Sequence, residues 1–181
     1  MLCVVLLNFL TGIYSGLDGK GDIPTWVMIA SAILYPIYHL LDLIDGKQAR
    51  RTKNSSPLGL LVDHGCDGLT TFMISMSIGS IVKLSGIVNY VLIWSLVSIP
   101  FFFCTWEEYH TGLLELPCFN GVNEGTVISS GVMFFTAVVG QSFWLNSFKI
   151  GSFILNYNEL LLYSSIGLSI VFTLIRYFFI Q

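Results

Sequence analysis

The chain has 181 residues, of which 54% are hydrophobic and only 10% charged, and its formal net charge is −3. A soluble domain of this size carries about 25% charged residues, so the composition argues against an ordinary soluble protein. The mean hydropathy of +0.77 arises from apolar blocks long enough to span a membrane.

Six such apolar blocks can be drawn, and each approaches the roughly 20 residues that a helix needs to cross a hydrocarbon layer. Backbone polar groups cannot stay unpaired in lipid, so the blocks are predicted to be helices rather than open strands. The predicted fold class is all-α and integral to the membrane, a bundle of six transmembrane helices. In chain order the blocks are 1–16, 25–45, 60–82, 87–106, 124–145 and 158–180.

Basic residues predict the orientation of the bundle. Four of the eight lie in the stretch after the second block, and basic loops of this kind stay on the cytoplasmic side. The loops around 47–58 and 107–123 are therefore expected in the cytosol, although Lys83 and Lys149 on the other side weaken the bias slightly. The four clustered residues are Lys47, Arg50, Arg51 and Lys53.

Four aspartates lie at the facing ends of two consecutive blocks. Asp42 and Asp45 close the second block, and Asp63 and Asp67 open the third. Each charge inside a membrane helix costs ~2.5–3.5 kcal/mol on insertion scales, so such a group points to function. Spacings of three and four put each pair on one helix face, and the short connection makes the helices antiparallel neighbours. All four carboxylates are expected to converge.

Converging carboxylates repel one another unless cations bind between them. Two Mg²⁺ or Mn²⁺ ions, about 3.5–4 Å apart, would suit a phosphoryl displacement, with Arg50 holding a phosphate by a bidentate contact. Gly46 and Ala49 leave room for a substrate. The alternative is a set of solvated or capping residues, since Asp63 near a helix start is also favoured by the helix dipole.

Residues 42–67 read DLIDGKQARRTKNSSPLGLLVDHGCD. This stretch resembles the signature of the CDP-alcohol phosphatidyltransferase family, D-x2-D-G-x2-A-R-x8-G-x3-D-x3-D, and every specified position is met. The strings DGKQARRT, SPLG and DHGCD, with WEEYHTGLLELPCFNGVNEG at 106–125, are similar to the eukaryotic choline and ethanolamine phosphotransferase branch. The resemblance implies a single membrane-embedded catalytic domain over 1–181, and we expect the chain to be truncated at both ends.

The resemblance also implies a reaction. Phosphoethanolamine or phosphocholine would pass from CDP-ethanolamine or CDP-choline to diacylglycerol, releasing CMP and forming a phospholipid. The site would face the cytosol from the endoplasmic reticulum or Golgi membrane, with membrane lipid and no nucleic acid as partners and a homodimer left open. Two Mg²⁺ or Mn²⁺ ions would be held by Asp42, Asp45, Asp63 and Asp67, and the CDP moiety would contact Gly46, Ala49 and Arg50.

The lipid hydroxyl must lose a proton as it attacks. His64 matches the family's proposed general base, and an ordinary pKa near 6.5 suits proton acceptance at neutral pH. Asp67, the last aspartate of the signature, is the rival base. Leu60 occupies a position where this branch usually has glutamate; if that glutamate orients the histidine, the base lacks its partner here.

Other interpretations stay open. An ion or proton transporter also uses intramembrane carboxylates, although near the midplane and often on broken helices. A catalytically impaired, truncated paralogue is a further alternative. Glu107, Glu108 and His110 fit either a pocket for a cationic head group or an interfacial belt anchored by Trp106 and Tyr109.

Overall fold

The computed structural model describes residues 2–16, 18–54, 56–112, 123–150 and 153–179. Within these ranges the chain forms six α-helices, a 3₁₀ helix after the fifth, and a two-stranded hairpin before the sixth. The elements are α1 (Leu2–Ser15), α2 (Thr25–Arg51), α3 (Pro57–Ile81), α4 (Ile87–Thr111), α5 (Asn123–Val139), the 3₁₀ helix Gln141–Leu145, β1 (Ser147–Ile150), β2 (Phe153–Asn156) and α6 (Tyr157–Phe179).

Each predicted block contains a helix, and a two-stranded hairpin forms between α5 and α6, in the stretch between the last two predicted blocks. α5 ends at Val139, and Gly140 follows with φ +96°, a conformation that suits glycine. β1 and β2 then pair antiparallel, with Ser147 opposite Asn156. This hairpin lies in the connection between two apolar blocks, where the need to pair every backbone group in lipid does not exclude strands.

Two helices extend beyond their predicted ends. α2 continues to Arg51 because lysine, glutamine, alanine and arginine, which are strong helix formers, follow Gly46. The first half of the signature is therefore helical, and only residues 52–56 separate α2 from α3. α4 continues to Thr111, and residues 113–122 of the predicted loop lie outside the described residues.

Two helices in the described ranges are long and apolar enough to cross a membrane, Thr25–Ala49 and Ile87–Thr111. Leu2–Ser15 and Glu124–Val139 are apolar but shorter. Large apolar side chains are exposed on all six helices, as expected of a surface that faces lipid. Examples are Phe9, Trp26, Ile37, Phe72, Phe102, Phe134 and Leu168.

The buried core is concentrated at one end of the bundle, which we call the closed end, where α2 begins and α3 ends. In α3 the buried residues run from Thr70 to Ile81, whereas none of residues 57–69 is buried. The opposite, open end is thus the less packed one among the described residues. The core comprises Ile23, Val27, Met28, Ala32, Ile74, Ile78, Ile81, Val82, Leu84, Ile93, Met133, Trp144 and Leu162.

A buried lysine ties α3 to the α1–α2 connection at the closed end. Lys83 donates from Nζ to the carbonyl oxygens of Lys20, at 2.8 Å, and Gly21, at 2.7 Å. It also donates to the exposed Asp22 carboxylate at 2.8 Å. This hydrogen bond and the lysine charge lower the pKa of Asp22 below its usual 3.8. The contact therefore stabilises the fold above that pH and is lost as the pH falls through the lowered pKa.

Two amide side chains satisfy further backbone groups there. Gln141 donates from Nε2 to the Ile81 carbonyl at 3.0 Å and accepts from the Ile23 amide at 2.8 Å. Asn158 donates to the Lys83 carbonyl at 2.8 Å. The last carbonyls of a helix lack partners within the helix, and burying them unpaired is costly. These contacts allow the closed end to be packed.

Candidate metal site

Three carboxylates converge between α2 and α3, nearer the open end. Asp42, Asp63 and Asp67 each offer one oxygen, and these oxygens all lie within 4.8 Å of one another. Asp63 and Asp67 are one turn apart and share a face of α3, while Asp42 comes from α2. Each of the three residues is half-buried. Hard divalent cations such as Mg²⁺ and Mn²⁺ prefer such oxygen donors.

The remaining signature residues of α2 follow Asp42 along the helix. Asp45, one turn after Asp42, is exposed and is not one of the three converging carboxylates. Gly46 and Ala49 are half-buried on the same helix. Arg50 belongs to α2, and its side chain lies outside the described part of the structure. The structure thus brings together three of the four predicted aspartates.

The two helices that carry the aspartates meet through their side chains. α2 packs mainly on α5 and α1, and α3 packs mainly on α4 and α1. Near the site, the Thr70 hydroxyl donates to the Tyr38 hydroxyl at 3.5 Å. Each of these residues is one turn from an aspartate. The Asp42 carboxylate on α2 therefore faces those of Asp63 and Asp67 on α3 across the space between these two helices. Each of the two helices packs mainly against other helices of the bundle.

The start of α3 is fixed by a short capping sequence. Ser56 is extended, and its Oγ accepts a hydrogen bond from the Gly59 amide at 3.1 Å, while Pro57 occupies the first turn. A Cβ at position 59 would lie 3.2 Å from that Oγ, which favours glycine there. This cap determines where α3 begins and hence where Asp63, two turns later, projects.

We expect Ser56→Ala to destabilise the protein by about 1 kcal/mol, because the Gly59 amide loses its acceptor. Ser56→Asp keeps an acceptor at the cap and should retain most of the stability. Thermal unfolding in detergent measures both variants. Equal transition temperatures for Ser56→Ala and the unmodified chain would show that the cap does not stabilise α3.

His64, beside Asp63, is held by α4. Its Nε2 lies 3.4 Å from Oε2 of Glu108, and its ring meets Phe101 edge to face with centroids 6.4 Å apart. Phe101 and Glu108 are two turns apart and so lie on one face of α4. Leu60 is 49% exposed. The carboxylate nearest the histidine therefore comes from α4, a pairing that the sequence analysis missed.

A second histidine near the aspartates was also missed. His39, half-buried one turn before Asp42, interacts electrostatically with Asp42 and Asp67. The signal in the sequence was the one-turn spacing of His39 from Asp42, which puts both residues on one helix face. His110, by contrast, is exposed and lies against Trp106, with centroids 4.9 Å apart. That environment favours the interfacial belt over a head-group pocket.

The signature, the converging aspartates and the helical bundle agree with a comparison against protein families. The family model for CDP-alcohol phosphatidyltransferase matches residues 1–171. The chain belongs to the CDP-alcohol phosphatidyltransferase family, a family of membrane proteins.

Similar proteins come from several eukaryotes. Choline/ethanolaminephosphotransferase 2 of Arabidopsis thaliana is 43% identical over 125 residues, covering 69% of this chain and 32% of that protein. Ethanolaminephosphotransferase 1 of Homo sapiens is 37% identical over 156 residues, covering 80% and 38%. An uncharacterized class-I family protein 3 of Dictyostelium discoideum is 39% identical over 144 residues, covering 79% and 36%. The chain spans about a third of the length of these curated relatives.

Proposed function

We propose that this chain transfers phosphoethanolamine or phosphocholine from its CDP conjugate to the hydroxyl of diacylglycerol, releasing CMP. The observation that carries the proposal is the convergence of Asp42, Asp63 and Asp67 within a complete family signature. The names of the Arabidopsis and human relatives, choline/ethanolaminephosphotransferase and ethanolaminephosphotransferase, support the substrate class. Residues 1–181 would form one catalytic domain.

The cluster of three carboxylates fits divalent cations, because one oxygen from each is a hard ligand and these oxygens lie within 4.8 Å of one another. Asp42, Asp63 and Asp67, joined by Asp45, would hold two Mg²⁺ or Mn²⁺ ions. Bound ions of this kind stabilise charge on the attacking and leaving oxygens of a phosphoryl displacement. Gly46, Ala49 and Arg50 would contact the CDP moiety.

His64 is the proposed acceptor of the lipid hydroxyl proton. The hydroxyl oxygen forms a bond to the phosphorus that carries the head group, and the bond from that phosphorus to the oxygen bridging to CMP breaks. The bond's electron pair leaves with CMP, and the proton moves to the imidazole. Asp67, which is also a proposed metal ligand, is the alternative base.

The proposed setting is a multi-pass protein of the endoplasmic reticulum or Golgi, with its open end toward the cytosol. Lys47, Arg51 and Lys53 are all exposed near that end. Basic residues favour the cytoplasmic side and attract anionic lipid. Lipid substrate would reach the carboxylates through the loosely packed half of the bundle.

Transport of an ion or proton is the less supported alternative. A transporter would place its carboxylates near the bilayer midplane, often on broken helices. Here Asp63 lies two turns inside the capped start of α3, and α2 and α3 are each one helix in the described residues.

The proposal is tested by supplying the purified chain, in detergent–lipid micelles, with labelled CDP-ethanolamine or CDP-choline and diacylglycerol. We expect labelled phospholipid and CMP with Mg²⁺ or Mn²⁺ and neither product with chelator; the more active donor identifies the head group. A reaction without diacylglycerol is the control for hydrolysis. A folded, Mn²⁺-binding chain that gives no product with either donor would contradict the proposal and favour an inactive paralogue.

A further inference from the structure

We infer that Glu108 of α4 is a positioning residue for His64, and this inference rests on the proposed function. Its carboxylate accepts a hydrogen bond from the Nε2–H of the imidazole. The lone pair of Nδ1 is then free to accept the proton of the lipid hydroxyl. The orienting group for the base thus comes from α4 rather than from position 60 of α3.

The environment of the Glu108 carboxylate carries the inference. Its Oε2 is buried and accepts no hydrogen bond from the described residues, yet it lies 3.4 Å from His64 Nε2. Burying a carboxylate oxygen without a hydrogen-bond donor costs free energy. A hydrogen bond from a nearby N–H is therefore favoured. The 3.4 Å separation is only slightly longer than the usual 2.7–3.2 Å of an N–H···O hydrogen bond. Catalytic hydrogen bonds are often long before substrate binds.

α4 restrains the histidine at two points. Phe101 meets the ring edge to face, and Glu108 reaches it two turns later on the same helix face. The Glu108 carbonyl accepts from the Gly112 amide at 2.8 Å, and Gly112, with φ +71°, ends the helix. The side chain of Leu60 is apolar and has no hydrogen-bond acceptor for the ring.

The chemistry of imidazole explains what this contact does. A neutral ring carries one N–H and one free lone pair, and a fixed acceptor decides which nitrogen is which. A carboxylate beside Nε2 holds the tautomer with the lone pair on Nδ1. It also stabilises the positive ring formed once the proton has been accepted.

The kinetic test compares Glu108→Ala, Glu108→Gln and Glu108→Asp in the transfer assay. We expect kcat to fall about 10–100-fold for Glu108→Ala, the usual effect of losing an orienting partner. KM for the CDP donor should stay unchanged, Glu108→Gln should fall nearly as far, and Glu108→Asp should recover part of the rate. Asp18→Asn, at an exposed residue of the α1–α2 connection, is the control for charge.

A second measurement does not depend on activity. The full chain is labelled with ¹⁵N-histidine and studied at a pH where imidazole is neutral, with His64→Gln used to assign the signals. We expect one tautomer at His64 in the unmodified chain and a mixture in Glu108→Ala. An unchanged tautomer in Glu108→Ala, or a raised KM with unchanged kcat, overturns the inference. If the unmodified chain transfers nothing, the proposed function fails and the tautomer still decides the role of Glu108.

Discussion

Replacing Asp63 with asparagine is expected to abolish transfer while leaving the fold intact. The substitution keeps the size of the side chain but removes one of the three converging carboxylates. Loss of groups that merely support a metal ligand costs 10–100-fold, so loss of a proposed ligand should cost at least about 100-fold. Asp63 is half-buried near the start of α3, where asparagine fits without a change in packing.

Asp63→Asn is expected to affect stability differently with and without metal. Without metal, removing one of several close like charges relieves repulsion, so Asp63→Asn should be at least as stable as the unmodified chain. Added Mn²⁺ should raise the transition temperature of the unmodified chain, because a ligand that binds the native state stabilises it, and should raise that of the variant much less.

Three measurements on Asp63→Asn are therefore informative: labelled transfer, Mn²⁺ binding by electron paramagnetic resonance, and thermal unfolding with and without Mn²⁺. Asp18→Asn makes the same change of charge at an exposed residue and should behave like the unmodified chain. Full transfer activity in Asp63→Asn would rule out the carboxylate group as the catalytic metal site.

The features predicted correctly from sequence depend on local patterns. Apolar blocks of spanning length located the six α-helices of the described residues, because a helix in lipid must satisfy its own backbone groups. The one-turn spacings of Asp42 from Asp45 and of Asp63 from Asp67 predicted that four carboxylates converge, and the structure brings together those of Asp42, Asp63 and Asp67. Helix propensity was given too little weight at the end of α2, where the residues after Gly46 continue the helix to Arg51.

The features that sequence did not predict depend on contacts between distant segments. The pairing of His64 with Glu108 requires the register of α4 against α3, which no spacing within either helix determines. The contact of Gln141 with Ile81 joins residues 60 positions apart. Single-sequence patterns carry little information about such contacts, because a polar residue between two apolar blocks suits many partners.

The contacts of Lys83 change the interpretation of this residue. By its position in the sequence, Lys83 is a basic residue that opposes the predicted orientation. In the structure its ammonium is bound by Lys20, Gly21 and Asp22, and its side chain is only 8% exposed. It is therefore a structural donor at the closed end.

We expect Lys83→Met to destabilise the protein by about 3–6 kcal/mol, since two main-chain carbonyls lose a charged donor and hydrogen bonds to charged groups are worth ~1.5–3 kcal/mol each. Methionine keeps the length of the side chain and the backbone conformation at φ +57° remains, so the lost donor is the main change. Asp22→Asn is the matched control: it removes only the exposed carboxylate and should have a small effect. Chemical or thermal unfolding in detergent compares them. If Asp22→Asn were as damaging as Lys83→Met, the ion pair rather than the capped carbonyls would hold α3 to the α1–α2 connection.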